Sequence, residues 1–576
     1  MNSNLDYNLC IDFGTSNTVI SYIDNSNLKQ IQDDITGDIL IPTTIYFISE
    51  NIKINKEFNN LEPEIDYIIG NGANELINSN KDWEYYFFQF KRFLGITSKS
   101  VNSYKDFLSR YNFEYDTDID TIYFYIHSSD DIDYKIKFSI CDLIKLFFKA
   151  LKKIIINKLN LKIQPLDNIR IILTCPAYFH DLQRSQLKRA AEQAGFEIFK
   201  LINEPTAAAI YYIYGYIKTE FDDKYIIYDL GGGTIDTTVV EYYSNSNTCE
   251  IIDIDGDNNL GGIDIDNILT FDIISKYKID KSNNKWFNKI KKYAEEIKIK
   301  LSTQNNCIIY LENVPILTKN SLNFIDNLKI TYSRQQFNNL INDTIDQMIL
   351  PIKKMYKKYN TTNIIFIGGP TQIPLLQSKV NSFLNTNISC SNSVKINNII
   401  INSIKSNNSI LYKTIVSQGG SMLYNIIIKK ENFCLLDIIP MNIGISDPDN
   451  NLIIMIQKNS KIPINIERYF STSHDCQRTI DIEIYEGLEV NCLLNNFIGS
   501  YKIIGIPPLP KGMILIKLLF KISYNGILNI SINGFKNSSD DSAKFYDFKL
   551  YENIKIIPNI VSKEILKKIS LLLKKK

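Results

Sequence analysis

The sequence predicts an α/β unit followed by an all-β unit, and three observations carry that reading. Strand-like and helix-like stretches alternate through about Lys430, the order expected when helices cover a largely parallel sheet. Beyond Lys430, apolar and polar residues alternate between Gly, Pro and Asn turns, as in "RTIDIEIYEG", "SYKIIGIPPLPKG" and "YNGILNISING". That pattern reads as a β-sandwich of roughly a hundred residues. The third observation is a motif that occurs twice in the first unit: strand, aspartate, Gly-Thr turn, strand.

The first copy is "NLCIDFGTSNTVISYI", with Asp12 ahead of Gly14 and Thr15 and a β run through Val19, Ile20 and Tyr22. The second, "YIIYDLGGGTIDTTVVEYY", opens at Tyr225; Ile226, Ile227 and Tyr228 lead in, and Thr237 to Val240 lead out. Taken alone, each is a hairpin with glycine at its turn. A Rossmann loop would need a third glycine where Asp236 stands and a helix after it, and a P-loop would need Lys-Ser or Lys-Thr after the glycines. Repetition is what lifts the motif above a plain hairpin, since it indicates a duplicated unit. Each turn offers uncovered backbone N–H groups, hydroxyls suited to phosphate oxygens, and a carboxylate suited to hydrated Mg²⁺. Two such hairpins could face each other across a triphosphate.

Between and after these copies the helices are legible. "HDLQRSQLKRAAEQAG" predicts a helix that stops at Gly195. "NEPTAAAIYYIYG" predicts another, with Pro205 suited to its first turn. "KWFNKIKKYAEEIKIKLS" carries Phe287, Ile290, Tyr293, Ile297 and Leu301 at helical spacing. "ENFCLLDIIPMNIG" is a short apolar connector, and "VSKEILKKISLLLKKK" is a basic closing segment.

Composition bounds the function. A chain of 576 residues is too long for one core, so two to four domains are expected. Lys and Arg total 64 against 63 Asp and Glu, a net charge of +1, which argues against a dedicated nucleic-acid surface. There is no apolar run long enough for a bilayer span and no signal-like stretch, so a cytoplasmic protein is expected. Nine cysteines without a C-x-x-C pair read as reduced and structural. Three histidines, His127, His180 and His474, are too scattered to support a His metal centre or a Ser-His relay.

In their order, "IDFGTSN", "FKRFLG", "CPAYFHDLQR", "LINEPTAAAI", "YDLGGGTIDTTV", "LGGIDIDN", "IGGPTQIP", "LLDIIP", "YEG", "GIPPLPKG" and "NGILNISI" resemble the motifs of the Hsp70 chaperone family over nearly the whole chain. The resemblance implies an actin-like, two-lobed ATPase domain over 1–430, an interdomain linker over 431–440, a β-sandwich that grips extended apolar peptides over 441–560, and a short basic helix over 561–576. That helix stands where the family has a long lid and an acidic tail, so rapid peptide exchange is expected. It could touch an anionic membrane, but stable anchoring needs a second signal. The implied cofactors are ATP or ADP with Mg²⁺. The implied partners are unfolded client peptides with J-domain and nucleotide-exchange co-chaperones, in cytoplasmic protein folding and the stress response.

Carried over residue by residue, the resemblance gives Asp12 and Asp229 to hydrated Mg²⁺. Gly14, Thr15, Ser16, Asn17, Gly231, Gly232, Gly233 and Thr234 go to the phosphates. Lys91, Glu204 and Asp236 take the terminal phosphate, attacking water and metal, with Thr234 and Asp229 counted in the catalytic set. Gly261 and Gly262 line the nucleotide, Glu295 and Lys298 match the ribose contacts, and Ser302 the base contact. Lys91 alone would read as a solvated lysine, and only its place in "KRFLG" raises it; Glu204 could also simply favour a helix start, but the complete "NEPTAAA" string around it puts catalysis ahead. At the base, Ile299 and Gln372 stand where the family has arginines, and Pro370 follows Gly368 and Gly369 in place of a serine. Weaker or less base-selective nucleotide binding is the expectation. Phe470 and Ile480 match the peptide slot, with ordinary sandwich core as the other reading. Arg184 and Lys188, with Leu435, Leu436 and Asp437, match the residues that couple the domains.

Two functions of different class follow. One is an ATP-driven chaperone of the Hsp70 type with weak lid closure. The other is a binding or assembly scaffold that keeps the fold with impaired ATP cycling. A sugar kinase of actin-like fold would have no use for the connector and the β unit.

Overall fold

The computed structural model describes residues 7–48, 65–78, 82–97, 100–104, 108, 110–116, 121–127, 135–161, 168–217, 222–280, 284–317, 322–388, 411–536 and 555–558. The helix expected over 561–576 lies outside the described residues.

The repeated motif is a repeated topology. Leu9–Phe13, Asn17–Asp24 and Asn27–Gln30 form an antiparallel meander, and Ile169–Cys175 joins Leu9–Phe13 in parallel, with Phe196–Asn203 beyond it. In the second sheet Asp223–Leu230, Ile235–Tyr243 and Thr248–Asp257 form the meander, and Ile364–Ile367 joins Asp223–Leu230 in parallel. Asp12 and Asp229 therefore occupy equivalent places, each near the end of the strand shared by the meander and the parallel partner. Strands such as Ile169–Cys175 are buried along almost their whole length, as parallel strands covered on both faces must be.

Helices cover these sheets through faces set by their spacing. In Ile140–Leu159 the residues Leu143, Ile144, Phe147, Phe148, Leu151 and Ile155 recur three or four apart and are all buried. Ser139 and Asp142 close a reciprocal capping box at its start, and Phe13 packs on Phe148 and Phe147 with ring centroids 5.1 and 5.8 Å apart. The predicted helices form as Asp181–Gln193, with Gly195 at φ +90°, and Asn284–Thr303, with Ile290, Ile297 and Leu301 buried.

Between the two sheets lie Glu204–Ala209, with proline in its first turn, and Leu411–Lys429. Ala207, Ala208 and Ala209 share a core with Cys10 and Ile172 of one sheet and Ile227 and Ile365 of the other. The helices touch at Gly419, where an added Cβ would stand 1.8 Å from the Ala207 carbonyl oxygen. Any side chain there would drive the helices, and with them the sheets, apart.

The last part of the chain is antiparallel. One sheet has the order Leu452–Ile456, Asn442–Ser446, Thr479–Gly487, Asn496–Ile504, Lys555–Pro558; the other has Ile464–Ser471, Ile514–Ile522, Leu528–Lys536. Ile484 and Ile503 from the first sheet and Ile516, Leu518 and Phe520 from the second share one buried cluster, the packing of two facing sheets. The apolar connector is itself a strand. Cys434–Ile438 pairs in parallel with Thr248–Glu250 and, through Asp437 and Ile438, antiparallel with Lys461–Ile462.

Candidate functional site

The two Gly-Thr turns close on one cavity of about 560 Å³, within the usual range for small-ligand sites. They are built alike. Gly14 N–H donates to the Asn17 carbonyl at 3.1 Å, and Gly231 N–H donates to the Thr234 carbonyl at 3.0 Å. Asp12, Gly14, Thr15, Ser16 and Asn17 line the cavity from one side, and Asp229, Gly231, Gly232 and Thr234 from the other. Gly233, Asp236, Gly261 and Gly262 form the layer behind, where Gly262 N–H donates to the Gly231 carbonyl at 3.0 Å and starts the helix Gly262–Tyr277. Gly368 is held at φ +83°, and a Cβ there would stand 2.1 Å from the Leu230 carbonyl oxygen, so the close approach of this loop to Asp229 requires glycine.

Charge is concentrated at the turns. Lys91, only 3% exposed, donates to Glu204 Oε1 at 2.9 Å. Thr174 donates to Asp12 Oδ1 at 2.8 Å, and the Tyr178 N–H donates to Asp236 Oδ1 at 2.8 Å. Asp229 and Asp236 stand directly opposite each other across their hairpin. Four carboxylates thus share one lysine. Burial, with Glu204 nearby, raises Asp12 to about 7 and Asp236 to about 7, and burial with Glu204, Asp236 and Asp12 raises Asp229 well above the carboxylate range.

Such a cluster calls for a cation, and Asp236 Oδ2 has no hydrogen-bond partner in the structure. Among the described residues no three His, Cys, Asp or Glu side chains converge closely enough to ligate an ion directly. The arrangement therefore suits Mg²⁺ that keeps several of its waters.

At the far end the cavity is lined by Glu295, Lys298, Ile299, Ser302, Gly368, Gly369, Pro370 and Gln372. Lys298 is turned to Asp266 Oδ2, at 2.8 Å, and to the Gly262 carbonyl, at 3.2 Å. Ser302 donates to the Lys298 carbonyl of its own helix. Ile299 is 58% exposed.

The coupling residues divide. Arg184 is buried and donates to the carbonyls of Phe179 and Ala177 at 2.9 Å and to Asn203 Oδ1 at 2.7 Å. Asn203 in turn donates to both carboxylate oxygens of Asp437 at 3.2 Å. Leu435 and Leu436 are half-buried in the connector strand. Lys188 is outside this chain of contacts and pairs with Glu192 on its own helix at 3.5 Å. Phe470 and Ile480 are half-buried on different sheets and pack on the common sandwich core.

The sequence reading missed several participants. Thr174, Tyr412 and Lys413 reach these places from strands or helices with no motif to mark them, while Asn203 and Asp266 stand inside the strings "LINEPTAAAI" and "LGGIDIDN" without having been singled out. Also missed is a carboxylate pair where the two parts of the chain meet. The Asp181 N–H donates to Glu486 Oε2 at 2.8 Å, and Asp181 Oδ1 accepts from the Leu528 N–H at 2.6 Å.

Residues 8–546 match the family model described as Hsp70 protein. The chain is 28% identical over 531 residues to the chaperone protein DnaK of Mycoplasmopsis agalactiae, covering 90% of this chain and 75% of that one. It is 31% identical over 384 residues to DnaK of Mycoplasmoides gallisepticum, covering 65% and 61%, and 31% identical over 381 residues to DnaK of Buchnera aphidicola, covering 64% and 56%. The last two matches span less than two thirds of those relatives. With nearly its whole length matched, the chain belongs to the Hsp70 family.

Proposed function

We propose that the chain is an ATP-dependent chaperone of the Hsp70 type that grips extended apolar peptide segments and couples their release to ATP hydrolysis. The observation that carries this is the adjacency of Glu204 and Asn203. Glu204 holds Lys91 in the cleft, and the residue before it holds Asp437 of the connector. A change at the reacting end is then one peptide bond from the strand that joins the two parts of the chain.

In this reading the domains run over 1–430 and 441–560 with the connector between them. Asp12 and Asp229 hold the hydrated cation. When bound, Mg²⁺ supplies charge neutralisation on the phosphate oxygens. The turns from Gly14 to Asn17 and from Gly231 to Thr234, whose own closing bonds use the Gly14 and Gly231 N–H groups, position the phosphates, because phosphoryl transfer needs placement and electrostatics more than covalent help. Lys91 meets the developing charge of the terminal phosphate, Glu204 accepts a proton from the attacking water, and Asp236 orients the metal's water shell. Phe470 and Ile480 contact the peptide. J-domain and nucleotide-exchange partners are proposed on the same family grounds. Among the described residues no helix is long and apolar enough to cross a membrane.

Single-turnover hydrolysis of ATP, with and without an extended leucine-rich peptide, tests the proposal. Turnover accelerated by peptide and abolished in Asp229→Ala is the expected result. Peptide binding without any nucleotide binding would favour the scaffold reading instead.

A further inference from the structure

The turn that carries Lys91 is anchored across the cleft. Phe90–Phe93 is one turn of 3₁₀ helix, and Gln89 stands just ahead of it at φ +56°, a backbone region that residues other than glycine rarely adopt. The main chain of Gln89 closes that turn, because its carbonyl accepts from the Arg92 N–H at 3.1 Å. Its side chain reaches elsewhere. Gln89 Oε1 accepts from Lys291 Nζ at 3.0 Å, and Lys291 is buried on the helix Asn284–Thr303. That helix also presents Glu295, Lys298, Ile299 and Ser302 to the cavity. The two ends of the bond belong to different cores: Phe90 and Phe93 pack with the first sheet, Ile290, Ala294 and Ile297 with the second.

A residue in so sparsely populated a backbone region persists only where its surroundings hold it there. Here the anchor comes from the opposite half of the cleft. Glu204 fixes the ammonium of Lys91, while Gln89 fixes the main chain from which that side chain springs. We propose that Gln89 and Lys291 are positioning residues for Lys91: when a nucleotide seats against Asn284–Thr303, the Lys291–Gln89 bond carries the position of that helix to the turn and sets Lys91 against the terminal phosphate. The proposal rests on the reading of Lys91 as the residue that meets that phosphate, and adds how contact at one wall of the cleft is felt at the other.

Single-turnover hydrolysis and direct MgATP binding on the full chain, with Lys91→Met alongside, test it. Gln89→Ala and Lys291→Met should each lower the hydrolysis rate constant by about tenfold, as a modest misplacement of one reacting group does, with MgATP affinity held within about threefold. The two substitutions together should cost no more than either alone, since each removes the same bond. Gln89→Glu keeps an acceptor of the same reach and should restore most of the rate; thermal melting of every variant reports whether it folds. Rate losses that multiply in the double variant, or an unchanged rate in a folded Gln89→Ala beside an impaired Lys91→Met, would overturn the proposal and leave the role of Lys91 standing. Hydrolysis indifferent to Lys91→Met, or none in the unaltered chain, would overturn both.

Discussion

The two ends of the cleft are assembled differently. At the carboxylate end polar side chains are held from other elements: Lys91 by Glu204, Asp12 by Thr174, Asp236 by Tyr178. At the far end Ser302 bonds within its own helix, Gln372 bonds to Thr371 beside it and Ile299 is largely exposed, while Lys298 alone of these is held by another helix, through Asp266. A group locked from a second element cannot change without leaving its partner buried and unpaired. One that leans on its own segment can be replaced alone. The carboxylate end is thus built into the fold, while Ser302, Gln372 and Ile299 at the far end can each be replaced singly.

The sharpest way to break this comparison is at the locked end. Lys91→Met should lower single-turnover hydrolysis by about 10²–10³-fold, the usual loss when one preorganised charge is removed. It should also lower the melting temperature, because Glu204 loses its partner. An effect no larger than that of Ile299→Ala would refute the contrast.

Proton linkage sharpens it next. Asp12 and Asp236, raised to about 7 by burial and by Glu204, contribute stability that is fully present below the ordinary carboxylate range near pH 4 and is lost as pH rises through about 7. Cation binding has the opposite sign, since it needs these groups ionised. Affinity for MgATP should therefore increase by about tenfold from pH 6 to pH 7 and less above, with protons released, as calorimetry in buffers of different ionisation enthalpy can measure. A pH-independent affinity would count against these carboxylates.

At the open end, Ile299→Arg combined with Gln372→Arg should tighten ADP binding by about 2–30-fold, the range of a cation–π contribution of about 0.5–2 kcal/mol, with the melting temperature unchanged. A loss of folding would show that this end is also locked.

The smallest effect is expected where the two parts of the chain meet. Burial raises Asp181 to about 6 and Glu486 to about 8. Their contribution to the docked arrangement is present at low pH and is lost as pH rises through 6 and then 8. Glu486→Gln should remove the upper part of that loss and slow amide exchange in Cys434–Ile438 by about threefold at pH 8, as about half a kcal/mol would. Equal exchange in both proteins would exclude the pair from docking.

Much of this was legible in the sequence because it was repeated or periodic. The two Asp-Gly-Thr hairpins announced the paired sheets, and the spacing of Ile290, Ile297 and Leu301 announced their helix. Lys91 was legible only through its family string, since a single lysine carries no pattern. Asp229 facing Asp236 needed the hairpin register. Thr174, Tyr412 and Lys413 reach the cleft through tertiary packing, which leaves no local trace. Lys188, grouped with Arg184 by the family resemblance, turns along its own helix because Glu192 stands one turn away. The connector's apolar run was plain, but five residues are too few to declare a strand when the partner strand lies so far back in the chain.

That strand has a further consequence. The pairing of Cys434–Leu436 with Thr248–Glu250 is made by main-chain amides and carbonyls, which every residue but proline carries in full. A joint read by the backbone is nearly blind to spelling. In a chain as rich in Asn, Ile and Lys as this one, most of the connector's letters can drift while the two parts of the molecule stay in mechanical contact, and proline within Cys434–Leu436 is the substitution that would uncouple them.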